Sequence, residues 1–132
     1  MIRSTCVLLA SVLLGFATPP AAATTYTVRP DGTGDFATIQ QAIDAAVTGD
    51  IVLLASGTFS GPGNRDLAFH GKSITVRSAA SDPLQCAIAC ESLDLDRHRA
   101  VLFVEGEGPG AVIEGVRIFG GRTPVGDPWN FG

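Results

Sequence analysis

Tryptophan, tyrosine and methionine occur once each in the 132 residues, and histidine only twice. Two distant histidines and three cysteines are too few and too scattered for a tetrahedral zinc site. Basic residues number 9 against 13 acidic ones, and they form no run. That balance argues against nucleic acid as a partner. Ser56, Ser60 and Ser73 lack the Gly-x-Ser-x-Gly context of a nucleophile elbow. Gly106-Glu-Gly-Pro-Gly110 follows an apolar run but opens no helix, so it is no phosphate-cradling loop. Cys86 and Cys90 are not spaced as Cys-x-x-Cys, which removes the usual redox motif.

Long apolar runs are also missing, with one exception at the start. Arg3 precedes the apolar stretch Cys6 to Phe16, Pro19-Pro20 follows, and Ala21-Ala22-Ala23 supplies small residues. This is the three-part layout of a secretory signal, expected over residues 1–23. The run falls short of the roughly 20 residues that span a bilayer. Cys6 opens the run instead of following it, which does not suit a lipoprotein. Removing Arg3 with the leader takes the formal net charge from −4 to −5 over residues 24–132. No transmembrane segment is expected there, and the chain is read as secreted or displayed at a cell surface.

What is present is mostly β pattern. Thr24-Thr25-Tyr26-Thr27-Val28 is rich in β-branched residues and reads as a strand. Pro30 to Asp35 is a turn whose Pro, Gly and Asp set its backbone. Ile39, Ala42, Ile43 and Ala46 form one apolar stripe at helical spacing. Thr38 and Gln41 have capping-box spacing, and Gly49 is expected as the left-handed residue after the helix. From Asp50 onward short apolar runs recur: Ile51–Leu54, Leu67–Phe69, Ser73–Val76, Cys86–Ile88, Val101–Val104 and Ala111–Ile118. A sandwich of hairpins and a solenoid of parallel strands both fit this spacing. The Asn-Gly or Asp-Gly signals of tight hairpins are missing between these runs, and a lone helix ahead of them suits a solenoid cap.

The block Asp31-Gly-Thr-Gly-Asp-Phe-Ala-Thr-Ile-Gln-Gln-Ala-Ile-Asp-Ala-Ala46 resembles the opening of right-handed parallel β-helix proteins of the pectin-lyase-like superfamily. Thr48 to Phe59 resembles their next element, a buried strand followed by a Gly-Thr-aromatic turn. Asn64 to Ser78 resembles the following coil, and Cys86–Cys90 and Gly106–Ile118 resemble segments of bacterial β-helix-repeat proteins. The resemblance runs from Thr24 to about Gly121. It implies an all-β fold, a right-handed parallel β-helix with an N-terminal capping helix over residues 24–132. Pectin methylesterases have a similar opening block, while pectate lyases and polygalacturonases share the fold. Their catalytic carboxylates, arginines and glutamines lie on later coils, so no catalytic residue carries over. The stack is expected to be unfinished at Gly132, with an open edge that associates end to end or folds poorly. Leu67, Phe69, Ile74, Val76, Ile88, Phe103, Val112 and Ile118 are the expected inward positions.

Each remaining candidate has a plain structural explanation. Asp31 and Asp35 could offer oxygens to calcium, but they lack EF-hand spacing, and a tight turn accounts for them. Cys86 and Cys90 would lie about 13 Å apart along a strand. A disulfide needs Cα atoms within roughly 7 Å, so they pair only across a sharp bend, and otherwise face the same side as Ile88. His70 falls at a turn. His98 lies in the charged stretch Asp94-Leu95-Asp96-Arg97-His98-Arg99, where Asp94 and Asp96 could be a hydrolytic pair but read better as a solvated loop. Trp129 and Phe131 could stack on sugar rings or on a further coil. No metal, cofactor or catalytic residue is therefore assigned. The expected role is polysaccharide binding, adhesion or scaffolding, with polysaccharide or surface glycans as partners. The alternative is the N-terminal part of a carbohydrate-active enzyme, a pectin methylesterase or polysaccharide lyase.

Overall fold

The computed structural model describes residues 15, 17–93 and 95–122. Its elements are β1 (Thr25–Val28), α1 (Ile39–Ala45), β2 (Ile51–Leu54), β3 (Gly57–Phe59) and β4 (Leu67–Ala68). They continue as β5 (Thr75–Ser78), β6 (Cys86–Ala89), β7 (Val101–Leu102), β8 (Val112–Glu114) and β9 (Arg117–Phe119). The protein is mostly β with one short helix. All strand pairs are parallel, in three sheets ordered β1-β2-β5-β8, β3-β6-β9 and β4-β7. From β2 onward the chain visits the three sheets in rotation, an arrangement consistent with a β-helix. Parallel neighbours cannot be joined by tight turns, so each return runs through the other two sheets.

Period-two alternation decides what faces inward. In the first sheet the register aligns Tyr26, Val52, Val76 and Ile113 in one row, and Val28, Leu54 and Ser78 in another. In the second sheet Phe59, Ile88 and Ile118 align. In the third, Leu67 aligns with Val101, and just beyond it the Phe69 and Phe103 rings lie 5.1 Å apart. Val28, Val52, Leu54, Phe59, Leu67, Phe69, Ile74, Val76 and Ile88 are buried, and α1 adds Ile39, Ala42 and Ile43.

Helix α1 begins where expected, with Thr38 Oγ1 accepting from Gln41 N. The reciprocal half of the capping box is absent among the described residues; the neighbouring Gln40 does other work. Its Oε1 accepts from Ala68 N at 2.9 Å and its Nε2 donates to Ala68 O at 3.0 Å. A side-chain amide thus pairs with β4 as a missing strand would, removing an open edge. Asp35 does the same for β1, accepting from Thr27 N on Oδ2 while its own N–H donates to Thr27 O. Asn64 accepts from Ile39 N and donates to Ser60 O. Lys72 Nζ donates to the carbonyls of Ile43, Asp44 and Ala46, satisfying the orphan acceptors at the helix C-terminus.

Several expectations need correction. Gly57–Phe59 is a strand and not a turn. Gly49 has φ +100°, but the helix ends earlier, at Ala46 in an extended conformation. The run Ala111–Ile118 divides into two strands in different sheets. Ile113 takes the inward row expected for Val112. Phe103 and Ile118 hold their expected places in register but are 50% and 46% exposed. Among the described residues no strand lies beyond β7, β8 and β9 to cover them. Of the leader expected over residues 1–23, residues 1–14 and Phe16 lie outside the described residues. So do Asp94, Trp129 and Phe131. Among the described residues no helix is long and apolar enough to cross a membrane.

Candidate functional site

The densest grouping of ionisable side chains surrounds β4 and β7, the shortest strand pair. Asp66 immediately precedes β4. Its N–H donates to Arg99 O at 2.7 Å, and its Oδ1 accepts from Arg99 N at 2.9 Å. Its other oxygen, Oδ2, lies 2.6 Å from His98 Nδ1. Across the ring, His98 Nε2 lies 3.0 Å from Asp96 Oδ1. Nε2 is buried, with Asp96 at ion-pair distance but not aligned for a hydrogen bond. Ser92 Oγ holds the His98 backbone on both sides, accepting from its N–H and donating to its carbonyl. The imidazole pKa is raised, first by Asp66, then by Asp96, with burial opposing both.

At the other end of β4, His70 Nδ1 lies 3.2 Å from Glu105 and Nε2 3.6 Å from Asp44. Glu107 accepts from Gly71 N and Glu105 N. Burial works against its charge, but backbone N–H groups outweigh it and lower its pKa. Arg65, one residue before Asp66, donates to Glu91 at 2.9 Å and to Cys90 O at 3.2 Å. Among the described residues, the non-glycine ones with positive φ are Asp66, His70, Ser81 and Glu91. Three of these four carry side chains that tie segments far apart in the sequence. A left-handed conformation costs an ordinary residue about 1–2 kcal/mol, so the ties and the backbone bends are built together.

This grouping ties segments far apart in the sequence. A general base must reach its substrate's proton, and His98 Nε2 is enclosed and faced by Asp96. No group of three metal-binding side chains is placed to hold an ion among the described residues. Asp31 is occupied by Thr33, whose N–H and hydroxyl both donate to Oδ1 and lower its pKa. Asp35 is committed to β1. Cys86 and Cys90 are free, buried thiols whose pKa values are raised by burial, the opposite of a reactive thiolate.

A separate cleft of about 180 Å³ opens where the turns after β5 and β8 stack, lined by Arg77, Ser78, Ser81, Glu114 and Gly115. It is below the roughly 300 Å³ at which small-molecule sites begin. Arg77 and Glu114 stand opposite each other in the row that begins with Thr27 and Leu53. The sequence signalled neither this cleft nor the Asp66–His98 pair. Asp96 and His98 stood out as a charged stretch, but Asp66 lies 32 positions away and only coil register brings it close. Comparison with family profiles, with curated proteins and with solved structures finds no match in any of the three.

Proposed function

We propose that this chain is the capped N-terminal stack of an exported, right-handed parallel β-helix of the pectin-lyase-like kind. We assign it a binding or scaffolding role toward polysaccharide. The observation that carries the reading is the rotation of successive strands through three all-parallel sheets, with β1 and β4 sealed by Asp35 and Gln40. The resemblance of Asp31–Ala46 to a β-helix opening supports it independently.

Stacked coils repeat about every 4.8 Å, so outward side chains in register form rows parallel to the stack axis. Thr27, Leu53, Arg77 and Glu114 make one such row; in the second sheet Thr58 and Arg117 are exposed, but Ala87 between them in register is buried. Such rows suit a long, repetitive polymer better than a compact ligand. Arg77 and Arg117 offer donors to polyuronate carboxylates. The test is retention of the purified, exported protein on insoluble pectin, polygalacturonate and cellulose, with product release measured in the same samples. Retention on polyuronates, weakened in Arg77→Ala and Arg117→Ala, is the expected result. Indifference to every polysaccharide overturns the binding role, and release of methanol or unsaturated sugars favours the enzyme alternative.

A further inference from the structure

We propose that cleavage after Ala23 turns the Thr24 nitrogen into an α-ammonium that pairs with the enclosed Asp50 carboxylate, so that export processing completes the N-terminal seal. The inference rests on the export reading above. Its starting point is Asp50, only 4% exposed and directly before β2. Oδ2 accepts from Val47 N at 2.9 Å, and Oδ1 accepts from Thr24 N at 2.8 Å. Both donors are neutral amides. Among the described residues no lysine, arginine or histidine forms an ion pair with Asp50. An enclosed carboxylate without a counter-charge is unusual, because burying a charge is costly unless it is paired. The two amides lower its pKa and keep it ionised.

The missing charge coincides with a boundary in the chain. Residues 17–23 are exposed, lie outside every strand and helix, and make no hydrogen bond to another described residue. Thr24 is the first residue engaged. Its N–H meets Asp50, and its carbonyl accepts from Ile51 N at 2.8 Å. Ala21 and Ala23 are the small residues a signal peptidase reads, set in an accessible segment that ends where the fold begins. Hydrolysis adds water across the Ala23–Thr24 amide. The hydroxyl goes to the Ala23 carbonyl carbon and the hydrogen to the Thr24 nitrogen, which takes a further proton from solvent. The cation then stands where a neutral donor already lies 2.8 Å from Asp50 Oδ1. The signal sequence and the first coil are thereby linked: the uncleaved chain makes a hydrogen bond where the cleaved chain makes an ion pair.

The test begins with the full chain in an exporting host and the intact mass of the secreted product. A mass beginning at Thr24 is expected. The α-amine of that product is then labelled with an acylating reagent across pH, in native buffer and in urea, and read by peptide mass. Lys72, the only lysine, is resolved in the same spectra. An opposite charge within contact distance favours the charged form. The native α-amine is therefore expected to titrate on the order of one unit above its value in urea. In Asp50→Asn the difference disappears. If that variant does not fold, the native-versus-urea comparison on the unaltered protein decides alone. A chain that is retained and uncut overturns the placement of the cut and the export reading with it, whereas a secreted product with a terminus other than Thr24 overturns the cut site and the ion pair and leaves export standing. A Thr24 terminus with equal native and urea titrations overturns the ion pair and leaves export standing.

Discussion

The first strands of the three sheets and the last described ones are finished by different chemistry. At the first coil, backbone groups meet side chains that imitate strands: Gln40 against Ala68 and Asp35 against Thr27. Apolar positions there are enclosed, with Val28, Ile39, Ile43 and Leu54 at 0% exposure. At the last described coil the same inward rows continue into Phe103 and Ile118, which are about half exposed, beside exposed Val104 and Phe119. That region is tied to the preceding strands by His98 beside Asp66 at 2.6 Å and His70 beside Glu105 at 3.2 Å. A row position therefore does not by itself confer burial; it does so only where another layer covers it.

The aromatic pair in the third sheet puts this to the hardest test. Phe69 and Phe103 stack in register, one buried and one half exposed. Phe69→Ala is expected to cost about 3–5 kcal/mol, the range for emptying a core aromatic site. Phe103→Ala is expected to cost about 1 kcal/mol, since roughly half of its surface is already in water. Urea midpoints measure both. Equal losses would mean that Phe103 is covered in solution and that the ends are alike.

Glycines give a second, smaller contrast. A Cβ on Gly34 would lie 2.3 Å from Thr27 O and 3.0 Å from Val28 Cα, both backbone atoms. Gly34→Ala must push the Asp35 segment off β1 and is expected to cost about 1–3 kcal/mol, as overpacking does. Gly106 has φ +80° and open space around its would-be Cβ. Gly106→Ala meets only conformational strain, about 1 kcal/mol. Thermal unfolding of the two variants should rank them in that order.

The sequence was most informative where burial was complete on one side. The α1 stripe and the alternation in Leu67-Ala68-Phe69 assigned their inward residues correctly, because each had a polar or small counterpart facing out. Val112 and Ile113 are both apolar, so alternation could not choose the phase, and a one-residue slip exchanges the faces. Gly57–Phe59 looked like a turn because Gly57, at φ +134° beneath Pro30, leads a strand of only three residues. The ties between coils were not legible at all. Gln40 reaches Ala68 across 28 positions and His98 reaches Asp66 across 32. Those separations depend on how many residues the intervening loops contain, which no local pattern fixes.

Gln40→Leu tests the sealed edge directly. The variant keeps the helix but leaves the N–H and C=O of Ala68 without their partners. Loss of a partner to a partly buried polar group costs about 1–3 kcal/mol, and the lower half is expected because water can reach this edge. The more telling readout is amide exchange. Ala68 N–H should lose protection while Leu67 N–H, which donates to Ala100 O on the other side, keeps it. Loss at both positions would mean that the edge and the β4–β7 pair open together.

The smallest effect is a slope against pH. The folded-state pKa of His98 is raised, so the folded protein binds protons more tightly there than the unfolded chain. Stability from this pair is then fully present below the ordinary imidazole value of about 6.5 and is lost as pH rises through the raised folded value. At the sealed end the lowered pKa of Asp50 contributes stability that is lost only on acidification, whereas the proposed Thr24 ammonium would add its own loss toward the alkaline end, so the slope is read on the chain with residues 1–23 retained. Urea midpoints at pH 5.5, 7 and 8.5, all chosen within roughly two units of the histidine range, should fall with pH in the unaltered protein. In His98→Gln and Asp66→Asn the fall should be shallower, with the two variants converging on the unaltered protein at the alkaline end only if the neutral imidazole adds little. An unchanged slope in His98→Gln would show that the outer coil is not held by a titrating tie. The contrast between the ends would then reduce to coverage alone.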